Sequence, residues 1–268
     1  MWQKLNRIDS YELEKARVQL INAIQLVSAV PCSYAKNDSP QALLKWNHES
    51  FCIESCDINT QNPVKISLDI QRLVLSIHGE NDHIEHLVLS GITYPMAFGW
   101  MKIKLDSFDI DSDLFDDSTE YSLERALGPN EELNVTNQHV FNELVIYYAN
   151  AYHLLSELKK NIAIKTDIYI QPENLSLILP IIHDKNEYKI KFTPGDKNFL
   201  EPYYSMEFPE NGAENLENLI PPSGFWNNKD WRGIILLTGD FLTLEPEEEK
   251  SKVYDFLIFN YEKIIDSK

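Results

Sequence analysis

Glycine is scarce, with 9 residues in a chain of 268, and cysteine is scarcer at 3. Phosphate-cradling loops need glycine so that backbone N–H groups can approach an anion closely, and this chain has little to build them from. No P-loop, dinucleotide fingerprint, nucleophile elbow or zinc-protease helix motif occurs. Cys32, Cys52 and Cys56 are odd in number and lack the two-residue spacing of a metal knuckle or redox pair, which predicts reduced core thiols. Cations are also short, 24 Lys and Arg against 42 Asp and Glu, for a formal charge of −18. Such a field repels phosphate backbones and anionic lipid heads, so neither nucleic acid nor a membrane surface is an expected partner. No apolar run approaches the roughly 18 residues that cross a bilayer, and Met1–Arg17 lacks the apolar core of a secretory signal. A soluble, cytoplasmic chain without a bound cofactor is the expectation.

What is present is ordinary globular material, 43% hydrophobic and 25% charged, in a chain long enough to bury a core without staples. Ser10 stands as a cap before Leu13, Arg17, Leu20, Ile24 and Val27, whose three- and four-residue steps predict a helix over residues 10–29. Short β-branched runs follow at 52–58, 64–69, 72–78 and 84–89, with a hairpin turn at Gly79–Asp82. Thr93–Leu105 returns to helical spacing, with Pro95 tolerated in its first turn. Phe141, Leu144, Val145, Tyr148, Tyr152, Leu155 and Leu158 mark a long helix over 138–161. Strands are then expected at 167–171, 175–182, 188–192, 203–208 and 233–238, before a closing helix that starts at Pro246 with three glutamates in its first turn.

Residues 106–132 carry ten acids against Arg125 alone. Self-repulsion there suggests an exposed acidic connector between two halves. The reading is therefore an α+β fold with an N-terminal half at 1–105, the connector at 106–132 and a C-terminal half at 133–268, each half a helix, antiparallel strands and a helix. Within the connector Asp109, Asp111, Asp113, Asp117 and Glu120 fall at calcium-loop intervals. Leu114 occupies the sixth position, where the loop needs glycine, so a solvated acidic stretch is preferred and no metal is assigned. Histidines 83 and 86 lack a third ligand, and no catalytic set stands out.

Between residues 193 and 233, aromatics and prolines alternate with acids. Aromatic side chains with polar tips are what a pocket lining requires. Asp196, Glu201, Tyr203, Tyr204, Trp226, Trp231 and Arg232 are accordingly the candidate ligand-binding residues. The carboxylates would accept hydrogen bonds or cations, the rings would enclose apolar surface, and Arg232 would pair with an anion. The same aromatics could instead roof the sheet as a small core.

Gln171-Pro-Glu-Asn-Leu-Ser-Leu177, Thr193-Pro-Gly-Asp196, Glu201-Pro-Tyr-Tyr204, Phe225-Trp226 and Trp231-Arg-Gly233, taken in this order, resemble an uncharacterised family of bacterial proteins of unknown function. The likeness covers mainly residues 165–265. That family's pattern has His-Phe-Asp where this chain has Asn174, Leu175 and Ser176, and a His after the Trp where this one has Asn227. The resemblance implies an order of elements and supplies no chemistry. The favoured expectation is a binding protein for a small molecule, with a hydrolase or transferase using a carboxylate base, or a protein interaction module, as the alternatives.

Overall fold

The computed structural model describes residues 2–34, 44–58, 63–80, 83–115, 123, 125–209 and 221–266. Among these residues the chain is α+β, with helices alongside sheets whose paired strands are antiparallel. It divides into two compact units, one of residues 1–10, 146–168 and 176–268 and the other of residues 11–145 and 169–175. This division falls elsewhere than the acidic boundary at 106–132. Both units are discontinuous in sequence, an arrangement that local composition does not register.

In the unit of residues 11–145, helix α1 (Ser10–Tyr34) buries Leu13, Leu20, Ile24 and Val27 as its spacing predicts. A five-stranded antiparallel sheet follows in sequential order: β1 (Leu44–Asn47), β2 (Cys52–Ser55), β3 (Lys65–Asp69), β4 (Val74–His78) and β5 (Ile84–Val88). Strand β1 falls outside the predicted runs because it is only four residues long and has no β-branched side chain, although Leu44 and Trp46 alternate with Lys45 and Asn47 and are buried. One face carries Ile53, Ile66, Leu68, Leu75 and Ile77 into the core, and the other mixes polar side chains with Val74, Ile84 and Val88, the last two exposed, as in an antiparallel sheet with one wetted face.

Helix α2 (Tyr94–Ser107) has Pro95 in its first turn and buries Ala97, Met101 and Leu105 at four-residue steps. The described part of the acidic segment is packed as well as charged. Phe108, Ile110 and Phe115 are buried, and β7 (Glu132–Leu133), at its end, pairs with β6 (Ile92–Thr93). Asn22 of α1 accepts from the Leu127 N–H and donates to the Arg125 carbonyl, which draws residues 125–127 onto the helix. Most of the described residues of this stretch are exposed, as its charge predicts, while a few apolar side chains turn inward. Asp117 and Glu120 of the calcium-like spacing lie outside the described residues. Helix α3 (Gln138–Asn161) matches its predicted bounds and contributes residues 138–145 to this unit and 146–161 to the other.

Strand β8 (Tyr169–Gln171) falls in the unit of residues 11–145 and 169–175. In the other unit the strands β9 (Ser176–His183), β10 (Asn186–Thr193), β11 (Tyr203–Glu207), β12 (Phe225–Asn228) and β13 (Arg232–Leu237) are ordered β12–β13–β11–β10–β9, all antiparallel. Central strand β11 is buried on both faces except at Glu207. On one face Phe192, Tyr204 and Phe241 gather with Tyr147 and Tyr148 of α3, while Val253, Phe256 and Leu257 of the closing helix α4 (Pro246–Asp266) are fully buried. Beside that core, residues 2–8 run without regular structure, burying Trp2, Leu5 and Ile8.

What holds this segment is Glu249 of α4, a carboxylate with no exposure at all. It accepts from Trp2 Nε1 at 3.1 Å and the Leu5 N–H at 3.3 Å, and it pairs with Lys4 Nζ at 2.6 Å. Asn150 bonds both the N–H and the carbonyl of Gln3, and Tyr147 donates to the Asn6 carbonyl. Glu249→Ala orphans these donors at once. It is expected to lower the unfolding free energy by about 3 kcal/mol, with Glu249→Gln losing less, as measured by urea denaturation followed by tryptophan fluorescence. A loss below about 1 kcal/mol for the alanine variant would remove Glu249 as the anchor.

Candidate functional site

Strand alternation sorts the seven residues expected to bind a ligand. Cross-strand partners share a face, so Tyr203, Ser205 and Glu207 lie with Lys191, Gly233, Ile235 and Leu237, whereas Tyr204 lies with Phe192 and Leu236 on the opposite face, together with Trp226 and Arg232. Trp226 packs against Phe208 with ring centroids 5.4 Å apart, and Tyr204 is wholly buried between Phe192 and Phe241. Trp231 lies over Gly233, where an added Cβ would fall 2.6 Å from its ring and 2.2 Å from the Met206 carbonyl oxygen. Lys191 faces the same indole and pairs with Glu207. The seven residues thus do not converge on one hollow. Adjacent residues of a strand, such as Tyr203 and Tyr204, must point apart.

Two of the acids have distinct duties. Asp196 Oδ1 accepts from the N–H groups of Asn198 and Phe199, and its Oδ2 accepts from the Tyr203 hydroxyl at 2.6 Å. This is an Asx-type turn that shapes residues 196–199 and seats the Phe199 ring against Tyr203. Burial, with the Asp196 charge adding to it, pushes the Tyr203 phenol far above its usual range, so it serves as a neutral donor. With both oxygens engaged, Asp196 supports the loop and leaves contact with a ligand to others.

Glu201 lines an open cleft of about 650 Å³ at the end of the sheet where the Thr238 N–H bonds the Pro202 carbonyl. One carboxylate oxygen accepts from the Gly239 N–H at 2.6 Å and from Thr238 Oγ1 at 3.3 Å. An added Cβ at Gly239 would sit 2.8 Å from that oxygen, so the close approach depends on glycine here. The other polar lining groups come from Arg7, Asp9, Ser10, Tyr147, Asn198 and Thr238, and the apolar walls include Ile8, Phe199, Leu200 and Leu242. Arg7 and Tyr147 had no signal in the sequence as site residues, because the first belongs to a segment of no regular structure and the second reads as one member of a helical apolar stripe.

A second concentration of chemistry lies on the wetted face of the β1–β5 sheet. Ser67 Oγ is 2.7 Å from His78 Nε2, and Ser76 Oγ is 2.7 Å from His86 Nδ1. Hydroxyl–imidazole pairs are the core of nucleophilic dyads. Here, though, both serines are buried and the surrounding strand N–H groups are committed to the ladder, which leaves no donors for a developing oxyanion. Among the described residues no group of three or more His, Cys, Asp and Glu is placed to hold a metal ion. Cys52 and Cys56 are only half-buried, against the expectation of core thiols, and the side chain of Cys32 lies outside the described residues. Burial raises the Cys52 thiol above its ordinary value.

No protein-family model, curated protein or solved structure matches this chain. Its chemistry is read from its own residues.

Tyr204 is buried with its hydroxyl unpartnered, and burial carries that phenol well above its usual value. Tyr204→Phe removes a buried polar group that makes no hydrogen bond, and it is expected to raise stability by about 1 kcal/mol, about 2–4 °C in melting temperature. A destabilised variant would mean that the hydroxyl has a partner in solution. Burial also holds His78 below the ordinary histidine value of 6.5, with His86 and Lys65 acting in the same sense and Glu54 opposing. A depressed histidine binds its proton more readily in the unfolded chain. Its contribution is therefore intact above pH 6.5 and is lost as the pH falls from there toward the lower folded value. His78→Gln is expected to flatten that part of the stability–pH curve, and an unchanged slope in urea midpoints between neutral and mildly acid pH would refute this assignment.

Proposed function

We propose that this protein binds a small polar molecule in the cleft that Glu201 lines, and that it does so in the cytoplasm. One observation carries the reading: a carboxylate is held rigidly by Gly239 and Thr238 at the wall of a cleft whose volume lies within the usual range for small-molecule sites. A mixed lining of apolar walls and a few fixed polar groups supports it. Among the described residues no helix is long and apolar enough to cross a membrane. Kinship with an uncharacterised bacterial family, suggested by the motifs between residues 171 and 233, would add no reaction to the reading.

The two alternatives receive less support. A carboxylate base would have to be Glu201, since Asp196 has both oxygens engaged, and nothing among the described cleft residues pairs Glu201 with a nucleophile. An interaction module built on the same aromatics would present them together, whereas the sheet divides them between its faces.

Amide NMR with a library of polar metabolites tests the proposal. Saturable shifts are expected at Ile8, Tyr147, Phe199 and Thr238, and Glu201→Lys is expected to abolish them while leaving the fold intact. A library that leaves those amides unmoved, or shifts that survive the substitution, would sink it.

A further inference from the structure

The charges around the cleft specify a class of ligand. Of the five arginines in the chain, Arg72 and Arg125 are ion-paired with Asp69 and Glu131, and Arg17 and Arg232 each have interactions of their own. Arg7 alone has neither a hydrogen bond nor an ion pair among the described residues, in a chain with 18 more acids than bases. Arg7 lines the same cleft as Glu201. Glu201 in turn has neutral donors on one oxygen and no lysine or arginine within ion-pair distance among the described residues. Asp9, the remaining charged residue of the lining, has interactions of its own, so Arg7 and Glu201 are the opposite charges left along the cleft, outside ion-pair distance of each other, for a molecule that bears both complementary charges. A planar guanidinium offers a carboxylate two parallel donors, and a fixed carboxylate accepts from an ammonium group.

We infer that the cleft takes a small zwitterion of the amino-acid kind, its carboxylate on Arg7, its ammonium on Glu201 and an apolar substituent against Ile8, Phe199, Leu200 and Leu242. This rests on the reading of the cleft as a binding site and adds the ligand's charge pattern. A molecule with only one charge would satisfy Arg7 or Glu201 and leave the other hydrated. The apolar walls favour a substituent of the size of leucine or phenylalanine over a bare glycine.

Three pools are the probes: the twenty common L-amino acids, the amines formed by removing their carboxyl groups, and the acids formed by removing their amino groups. Amide shifts at Tyr147 and Thr238 report occupancy. The expected result is that members of the amino-acid pool bind about tenfold or more tightly than their matched amines and acids. Arg7→Gln should bring amino acids down to the level of the matched amines, and Glu201→Gln should bring them down to that of the matched acids. Arg7 is exposed and Gln retains an acceptor for Gly239, so neither variant threatens folding. If amines or acids bind as well as amino acids, or if both substitutions weaken every pool alike, the zwitterion inference is overturned while the cleft survives as a site. If the amides move with no member of any pool, the inference falls. The metabolite library then decides the cleft separately.

Discussion

A single carboxylate sealed from water, Glu249, organises the unit that carries the cleft. Three donors reach it from residues 2–5, a stretch with no helix or strand of its own. Such a stretch loses backbone entropy on docking without the return of a ladder of hydrogen bonds, so side chains must supply the binding energy. Trp2, Leu5 and Ile8 bury apolar surface, while Glu249, Asn150 and Tyr147 satisfy the polar groups that burial would otherwise strand. The consequence reaches beyond stability, because Arg7, Ile8 and Asp9 form one wall of the cleft only while the residues before them are tied down.

The opposite wall depends on a different device. Asp196 fixes the turn at 196–199 through two backbone N–H groups and is itself held by the Tyr203 hydroxyl. Strand β11 then begins at Tyr203, directly after the Glu201–Pro202 step that reaches the cleft. A turn residue, a buried phenol and a capped glutamate thus act in series, with only the last presented to a ligand. The pocket expected from the sequence named all three as contacts. The structure makes two of them supports.

Helices were legible because their apolar side chains recur at three and four residues: α3 matches residue for residue, and α1 runs from the expected Ser10 cap. Most strands of both sheets were readable for the same kind of reason. Strand β12 was hidden, since Phe225-Trp226-Asn227-Asn228 has no alternation and its edge position leaves Phe225 exposed. In the acidic stretch net charge foretold the exposure of most described residues and said nothing about the few apolar ones, Phe108, Ile110 and Phe115, that are buried. Of the candidate site, Glu201 was visible. Arg7, Tyr147 and Thr238 are too far from it in sequence for any local pattern to unite them.

Satisfied and unsatisfied polar groups separate the two concentrations of chemistry in this chain. On the outer sheet face each serine hydroxyl has an imidazole, and Lys65 pairs with Glu54, so the groups neutralise and orient one another. Such a face is complete as it stands. At the cleft a guanidinium without a partner and a carboxylate without a counter-cation remain apart, one on a tethered segment and one on a capped loop end. Charges placed that way cost little while water can reach them, and they gain strength when a ligand of complementary charge displaces that water and lowers the local dielectric. Residual electrostatic demand, more than the abundance of reactive side chains, is what distinguishes the cleft from the serine–histidine face and underlies the binding site proposed for it.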